Sequence, residues 1–233
     1  GSTPTTTLTA NNRGYSFGVS VYTSADVTLN SGARAFSYTA PSGFKALCST
    51  NLPTPTITKG SDYVGIVTYT GNQTARTLAL GFSPDLVWTK RRDNSNSHHL
   101  YDILRGDGKY FQSDNYTNTE GTDVNSVTFT SSSVINLGTS TRSNETNATY
   151  VAWAWDAGTT TDSNNTSGTI ASTVRANASA GFSVVTWTAA NPGSNSVGHG
   201  LNAAPEFIIA KSRTVGDDWF VYHKSLGRAN YLN

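Results

Sequence analysis

The aromatic residues of one predicted strand give the strongest indication of a binding surface. Trp153 and Trp155 are two residues apart and share a face of this strand with Val151, whereas Ala152 and Ala154 share the opposite face. Neighbouring tryptophans form either a core between sheets, which is the favoured interpretation, or a platform on which sugar rings stack. The candidate glycan-contact residues are Trp88, Trp153, Trp155, Trp219 and Tyr222.

Metal-binding and nucleophilic chemistry have little support from residue spacing. His98 and His99 are adjacent, and adjacent strand residues point to opposite faces, so the two imidazoles cannot bind one metal ion without a bend. Cys48 is the single cysteine, which excludes a disulfide framework and a cysteine-based zinc site. His199 and His223 are isolated in the sequence. We therefore predict no metal, no cofactor and no catalytic residue.

The acidic residues do not form a recognisable catalytic pair. The chain has 15 Asp and Glu residues, and many lie in turn-like contexts such as 107–108 and 216–218. Arg105-Gly106-Asp107 matches a cell-adhesion tripeptide, but a turn with flanking glycines accounts for so short a motif. The sequence predicts a protein that is not an enzyme.

The composition favours strands over helices. Of 233 residues, 36% are hydrophobic and 13% are charged, both below the usual shares, and Thr, Ser and Asn supply the difference. With 11% aromatic residues and only three Glu, the chain suits neither a helical bundle nor wholesale disorder. A net charge of +1 without a basic block disfavours nucleic acid as a partner. No apolar run is long enough for membrane insertion.

Alternating apolar residues predict an all-β fold of tandem antiparallel β-sandwich or jelly-roll modules. Pro53 and Pro55 indicate one boundary, and the polar stretch 157–169 indicates another. The main predicted strands are 15–21, 36–39, 63–70, 86–90, 109–112, 127–130 and 150–155. The predicted segments are 1–58, a partial β segment with an N-terminal linker; 59–158, a first sandwich; 159–179, a polar linker; and 180–233, an incomplete second sandwich.

An internal repeat underlies this division. Residues 65–70 match 183–188 at an offset of 118, and residues 80–90 match 201–211 at an offset of 121. The second copy reaches residue 233 before any counterpart of 150–155. Since a sandwich without its last strands exposes unpaired edges, we expect further chain or a partner to supply them.

Two segments resemble modules of tailed-phage virion proteins. Residues 29–53 resemble the C-terminal end of a SPRY domain, a bent β-sandwich of which only about 15–53 would be present. The following module resembles one that often comes after such an end. Its matching residues are 67–71, 81–91, 100–106 and 150–155, with 197–201 and 219–223 in the second copy. The resemblance implies a tail-fibre or other virion structural role and a concanavalin-like sandwich, and it carries no catalytic residues.

The sequence is compatible with two functions. The first is a non-enzymatic virion protein of the tail-fibre or decoration type, which contacts host surfaces or the particle through loops such as 91–99, 113–126 and 190–200. Its partners would be other copies of itself, other virion proteins or a host-surface glycan, and its location virion or extracellular. The alternative is a carbohydrate-binding, lectin-like module of a secreted or surface protein.

Overall fold

The computed structural model describes residues 54–190 and 195–227, together with residues 39, 42, 43, 45 and 51. The chain divides into two compact units, residues 1–54 and 55–233. The strands predicted at 15–21 and 36–39, and nearly all of the SPRY-like segment, lie outside the described residues.

The described part is nearly all β, as the sequence predicts. A four-residue helix, α1 (Thr141–Asn144), and 3₁₀ turns at Gly60–Asp62 and Lys224–Leu226 complete the regular structure of this part. No described helix is long and apolar enough to cross a lipid bilayer. The strands are β1 (Val64–Thr70), β2 (Arg76–Ala79), β3 (Leu86–Arg91), β4 (His99–Asp102), β5 (Lys109–Gln112), β6 (Gly121–Thr122), β7 (Val127–Thr128), β8 (Val134–Leu137), β9 (Thr149–Trp155), β10 (Thr161–Asn165), β11 (Ser172–Asn177), β12 (Phe182–Trp187), β13 (Phe207–Ala210) and β14 (Phe220–His223).

Two antiparallel sheets form the first sandwich. The main sheet has the strand order β1-β9-β3-β4-β5-β6, and the cover sheet has the order β2-β8-β7. Residues of both sheets meet in a single buried cluster, which confirms the antiparallel β-sandwich class. The cluster consists of Phe82, Val87, Tyr101, Val127, Ile135, Leu137, Ala152 and Ala154.

Strand β9 lies between β1 and β3 in the main sheet, and its side chains show the two faces of this sheet. Its residues alternate between buried and half-buried, and Ala152 and Ala154 have no exposed surface. These small side chains face the cover sheet and leave room for the large ring of Tyr101 and for Ile135. The opposite face of β9 therefore carries Trp153 and its neighbours.

The hairpin of the predicted repeat has the same pairing register in both copies. In the first hairpin, β3–β4, Leu86 pairs with Asp102, and in the second, β13–β14, Phe207 pairs with His223 at the offset of 121. Each of the four residue pairs of the first hairpin has its counterpart in the second hairpin at this offset. The turns repeat as well, since Gly81 and its equivalent Asn202 both adopt positive φ, a conformation that Gly and Asn tolerate best.

The sequence predicts a polar linker at 159–179, but the structure has two strands, β10 and β11, in this segment. These strands and β12 form a third antiparallel sheet, in which Ser172 pairs with Trp187 and Asn177 with Phe182. The segment lacks apolar alternation over most of its length, so no buried face is visible in its sequence. Backbone pairing of β11 with β12, and of β10 with β11, makes this polar segment regular.

We expect His99→Phe to stabilise the protein. His99 is buried between the rings of Tyr101 and Tyr110, and neither of its ring nitrogens has a hydrogen-bond partner. Its equivalent in the second copy is Phe220. Removing the unsatisfied polar atoms should raise the free energy of unfolding at pH 7 by about 1 kcal/mol in a urea titration.

His99→Phe should also change how the free energy of unfolding depends on pH below about 6.5. Burial, aided by the charge of Arg142, lowers the pKa of His99 to about 4. The unfolded chain therefore takes up the proton first, so stability falls as pH drops from about 6.5 towards 4, by up to about 3 kcal/mol from this group. His99→Phe should remove that loss, and the exposed His223→Phe serves as the control. If His99→Phe lost as much stability on acidification as the unmodified chain does, His99 would not be the group responsible.

Candidate binding surface on the main sheet

The outer face of the main sheet carries an apolar row across three strands. Trp153 of β9 pairs with Ile66 of β1 on one side and with Trp88 of β3 on the other. Ile66 is 66% exposed, and both tryptophans are half-buried. We call Ile66, Trp88 and Trp153 the aromatic platform, since two of its three members present indole surface to solvent.

A histidine fixes the orientation of one platform ring. The indole Nε1 of Trp88 donates a hydrogen bond of 3.0 Å to Nδ1 of His98, and the two tryptophan rings meet edge to face with centroids 6.0 Å apart. Nδ1 accepts only when it carries no proton, so this bond requires neutral His98 with its proton on Nε2. Burial and the nearby Lys90 ammonium both hold the pKa of His98 below its usual value, which favours that form.

The loop that follows β3 is tied to the same surface. Lys90 Nζ donates hydrogen bonds to the carbonyl oxygens of Asn94, at 3.1 Å, and Asn96, at 2.7 Å. The backbone N–H of His98 donates to Oδ1 of Asp114 at 3.1 Å. The polar residues of the loop are thereby held beside the platform, which combines apolar rings with amide and carboxylate groups.

The other candidate aromatic residues lie elsewhere. Trp155 stacks on Phe182 of β12, with ring centroids 6.2 Å apart. Trp219 meets Phe111 of β5 edge to face, at 5.6 Å. Tyr222 lies in β14. The structure thus brings together only two of the five predicted glycan-contact residues, Trp88 and Trp153, and places two others at contacts between the copies.

The remaining motifs have structural roles or no partner for chemistry. His98 and His99 face opposite sides of the sheet, as the sequence predicts. Arg105 of the tripeptide motif is buried, forms an ion pair with Asp102 and lies over the ring of Phe111. Within the described part of the chain, no three His, Cys, Asp or Glu side chains lie close enough together to hold a metal ion.

Sequence reasoning did not assign Ile66, Lys90 or His98 to the surface. Ile66 lies in a predicted strand, but only its register opposite Trp153 places it on the outer face. Lys90 and His98 are eight residues apart, and the turn between β3 and β4 brings them together. The two-residue spacing of Trp88 and Lys90 along one strand is the sequence signal that places Lys90 on the face of Trp88.

We expect Lys90→Gln to raise the pKa of His98 towards its usual value. The ammonium charge disfavours a second positive charge nearby, so its removal makes protonation easier. A proton NMR titration of the His98 ring measures the change. Lys59→Gln, which removes a lysine paired with Asp62, is the matched control. A His98 pKa that is the same in Lys90→Gln and in the control would show that Lys90 has no such effect.

Comparison with known proteins identifies the family alone. The chain gives no match among curated proteins or among solved structures. A family described as a domain of unknown function (DUF7483) matches residues 59–233, a range that includes both copies of the hairpin and the aromatic platform. Since this match covers most of the sequence, the chain belongs to the DUF7483 family.

Proposed function

We propose that the protein is a non-enzymatic structural component of a tailed-phage virion, of the tail-fibre or decoration type. It would display tandem β-sandwich modules of the concanavalin-like kind for contacts with the host surface or the particle. The observation that carries this proposal is the way the two copies are joined, because a display protein must hold its modules in a defined orientation. The SPRY-like segment before residue 54 belongs to the same proposal.

The first part of the join combines a buried ion pair with an aromatic contact. The Asp85 carboxylate, which has no exposed surface, lies 2.8 Å from Nε of Arg175 in β11 and accepts a 2.7 Å hydrogen bond from the N–H of Ala157. Burial raises the pKa of Asp85 to about 6, even though Arg175 acts in the opposite direction. Trp155 of β9 also stacks on Phe182 of β12, with ring centroids 6.2 Å apart. The third sheet is thus attached to the first sandwich through both polar and apolar contacts.

The second part of the join ties the repeated hairpin to the opposite edge of the main sheet. Arg213 donates two hydrogen bonds to the Glu120 carboxylate, at 2.8 and 3.0 Å, and its carbonyl accepts from the N–H of Glu120 at 3.0 Å. Trp219 packs against Phe111 nearby. A bidentate pair next to an aromatic contact restricts rotation more than a single surface ion pair does. Fixed attachment at two places supports a stiff array of modules.

Detection of the protein in particles tests the virion assignment. Antibodies against the chain should label purified particles from its source in electron micrographs, and mass spectrometry should find it at a constant ratio to the major capsid protein. Particles purified from a strain lacking the coding sequence serve as the control. Recovery of the protein only from soluble fractions, with unlabelled particles, would rule out a virion component.

A lectin-like function is the second candidate, and the aromatic platform is the observation that favours it. Half-buried indole rings that present one surface to solvent beside asparagine-containing loops are suited to stacking and hydrogen bonding with sugars. If this function holds, the protein should bind defined glycans on an array, and Trp153→Ala should weaken binding at least tenfold because the stacking surface is lost. Tyr116→Ala removes an exposed ring from the loop that follows β5, away from the platform, and should leave binding unchanged. Equal binding by both variants would rule out the platform as a sugar site.

A further inference from the structure

The repeated hairpin and the third sheet each present a strand edge without a partner. Among the described residues, β12 pairs with β11 alone, and β13 pairs with β14 alone. An unpaired edge exposes backbone N–H and C=O groups that another strand can use. The two edges belong to the same copy of the repeat, so the first copy shows what such edges bind.

In the first copy, one strand joins the corresponding edges. β9 pairs with β1 on one side and with β3 on the other, so that Trp153 lies opposite both Ile66 and Trp88. β12 corresponds to β1 at the offset of 118, and β13 corresponds to β3 at the offset of 121. The position between β12 and β13 is therefore equivalent to the place of β9.

The equivalence extends beyond the strands. In the first copy, the N–H of Ile103 donates to the carbonyl of Asp85 at 2.9 Å, and in the second the N–H of Lys224 donates to the carbonyl of Glu206 at 2.8 Å. Gly106 and Gly227, which follow these turns, both adopt positive φ. The second hairpin therefore has the same turn contacts as the first hairpin, whose first strand, β3, is paired with β9.

A groove lies where the incoming strand would begin. Trp187, Thr188 and Arg213 line a cavity of about 200 Å³ together with residues of β10 and β11. Their equivalents in the first copy are Tyr69, Thr70 and Arg92.

All three of those equivalents contact β9. The Tyr69 ring stacks on Tyr150 with centroids 5.2 Å apart, and Thr70 pairs with Thr149. The N–H of Arg92 donates to the carbonyl of Thr149 at 2.7 Å. The groove residues therefore correspond to the groups that hold the first two residues of β9.

Strand β13, which ends three residues before Arg213, is apolar and accessible. Phe207, Ile208 and Ile209 are 56%, 43% and 43% exposed, whereas Val87, the equivalent of Ile208, is completely buried. Three consecutive exposed apolar residues mean that both faces of β13 lack cover. The cover sheet accounts for part of the burial of Val87, so a single strand would bury only part of β13.

We propose that the groove between β12 and β13 binds an extended partner segment with the side-chain alternation of β9, small on one face and aromatic on the other. The segment lies antiparallel to both strands and forms hydrogen bonds along both of its edges. Because both edges are used, the occupant arrives as a free strand rather than as the edge of a folded sheet. The aromatic residues of its outer face lie beside Ile209 of β13 and Val184 of β12, the equivalents of Trp88 and Ile66.

A synthetic peptide with the sequence of residues 148–157 tests this proposal on the full chain. Hydrogen–deuterium exchange should slow at least tenfold at amides of both β12 and β13 when the peptide is added at saturation. Both this peptide and its control carry a solubilising tail. The control, a scrambled peptide of the same composition, should have no such effect. Amides of β1 and β3 report on the first copy, where β9 is already in place, and should be unchanged.

Two variants localise the effect. Ile209→Asp places a carboxylate beside the aromatic face of the peptide and should weaken binding at least tenfold, whereas Val215→Asp, at an exposed position outside the strands, should bind as the unmodified chain does. Exchange in β1–β9 checks that both variants are folded. Absence of protection with the peptide, or equal protection with the scrambled peptide, overturns the proposal. So does sedimentation that shows self-association with β12 and β13 already protected, because the occupant is then a second copy.

Discussion

The pairing of β9 with both β1 and β3 is the interaction on which the rest of the first sandwich depends. The strand comes late in the module but lies between the two early strands β1 and β3, so the sheet is complete only when β9 is inserted. Its inner face carries Tyr150 and two alanines, Ala152 and Ala154, whose small side chains allow the cover sheet to approach closely. Its outer face carries Trp153 of the aromatic platform. One strand therefore sets both the core and the platform.

Polar groups close the end of this sandwich, where the chain supplies few large aliphatic residues. The Asn144 side chain accepts a hydrogen bond from the N–H of Asn72 at 3.0 Å and donates to the carbonyls of Thr74 and Gly138, each at 2.8 Å. In the interior, the Tyr101 hydroxyl is bonded to Ser126. Since buried polar atoms with partners cost little, such a network lets a threonine- and asparagine-rich sequence form a closed core.

The two copies of the repeat share a backbone but not an environment. At equivalent positions the first copy has buried His99 and Val87, and the second has exposed Phe220 and Ile208. The hairpin thus forms with or without strands on both sides, because its hydrogen bonds are local. The two copies differ in their exposed surface. In the first copy β9 fills the place between β1 and β3, whereas in the second copy the groove between β12 and β13 is accessible. The joins at Asp85 and Glu120 hold the second copy in place despite its open edges.

The local pattern of residues was sufficient to predict the all-β class, most strands of the first sandwich and the repeated hairpin. Alternation of apolar side chains and turn residues act over a few positions, and the repeat preserves them at a constant offset. The short strands β2, β4, β6, β8 and β10 were not predicted, since each has at most five residues and pairing makes them regular. For the platform, the sequence indicated that Trp88 and Trp153 each lie on a strand face, but it did not indicate that they share a surface.

Tertiary structure decided which face became the core and which residues meet. The alanine face of β9 is inside because the cover sheet supplies rings and branched side chains that fill the space above it. Trp153 meets Trp88 and Ile66 only through pairings between strands more than sixty residues apart, and Arg175 reaches Asp85 in the same way. Such contacts depend on how sheets close in space, which a period of two along the chain does not specify.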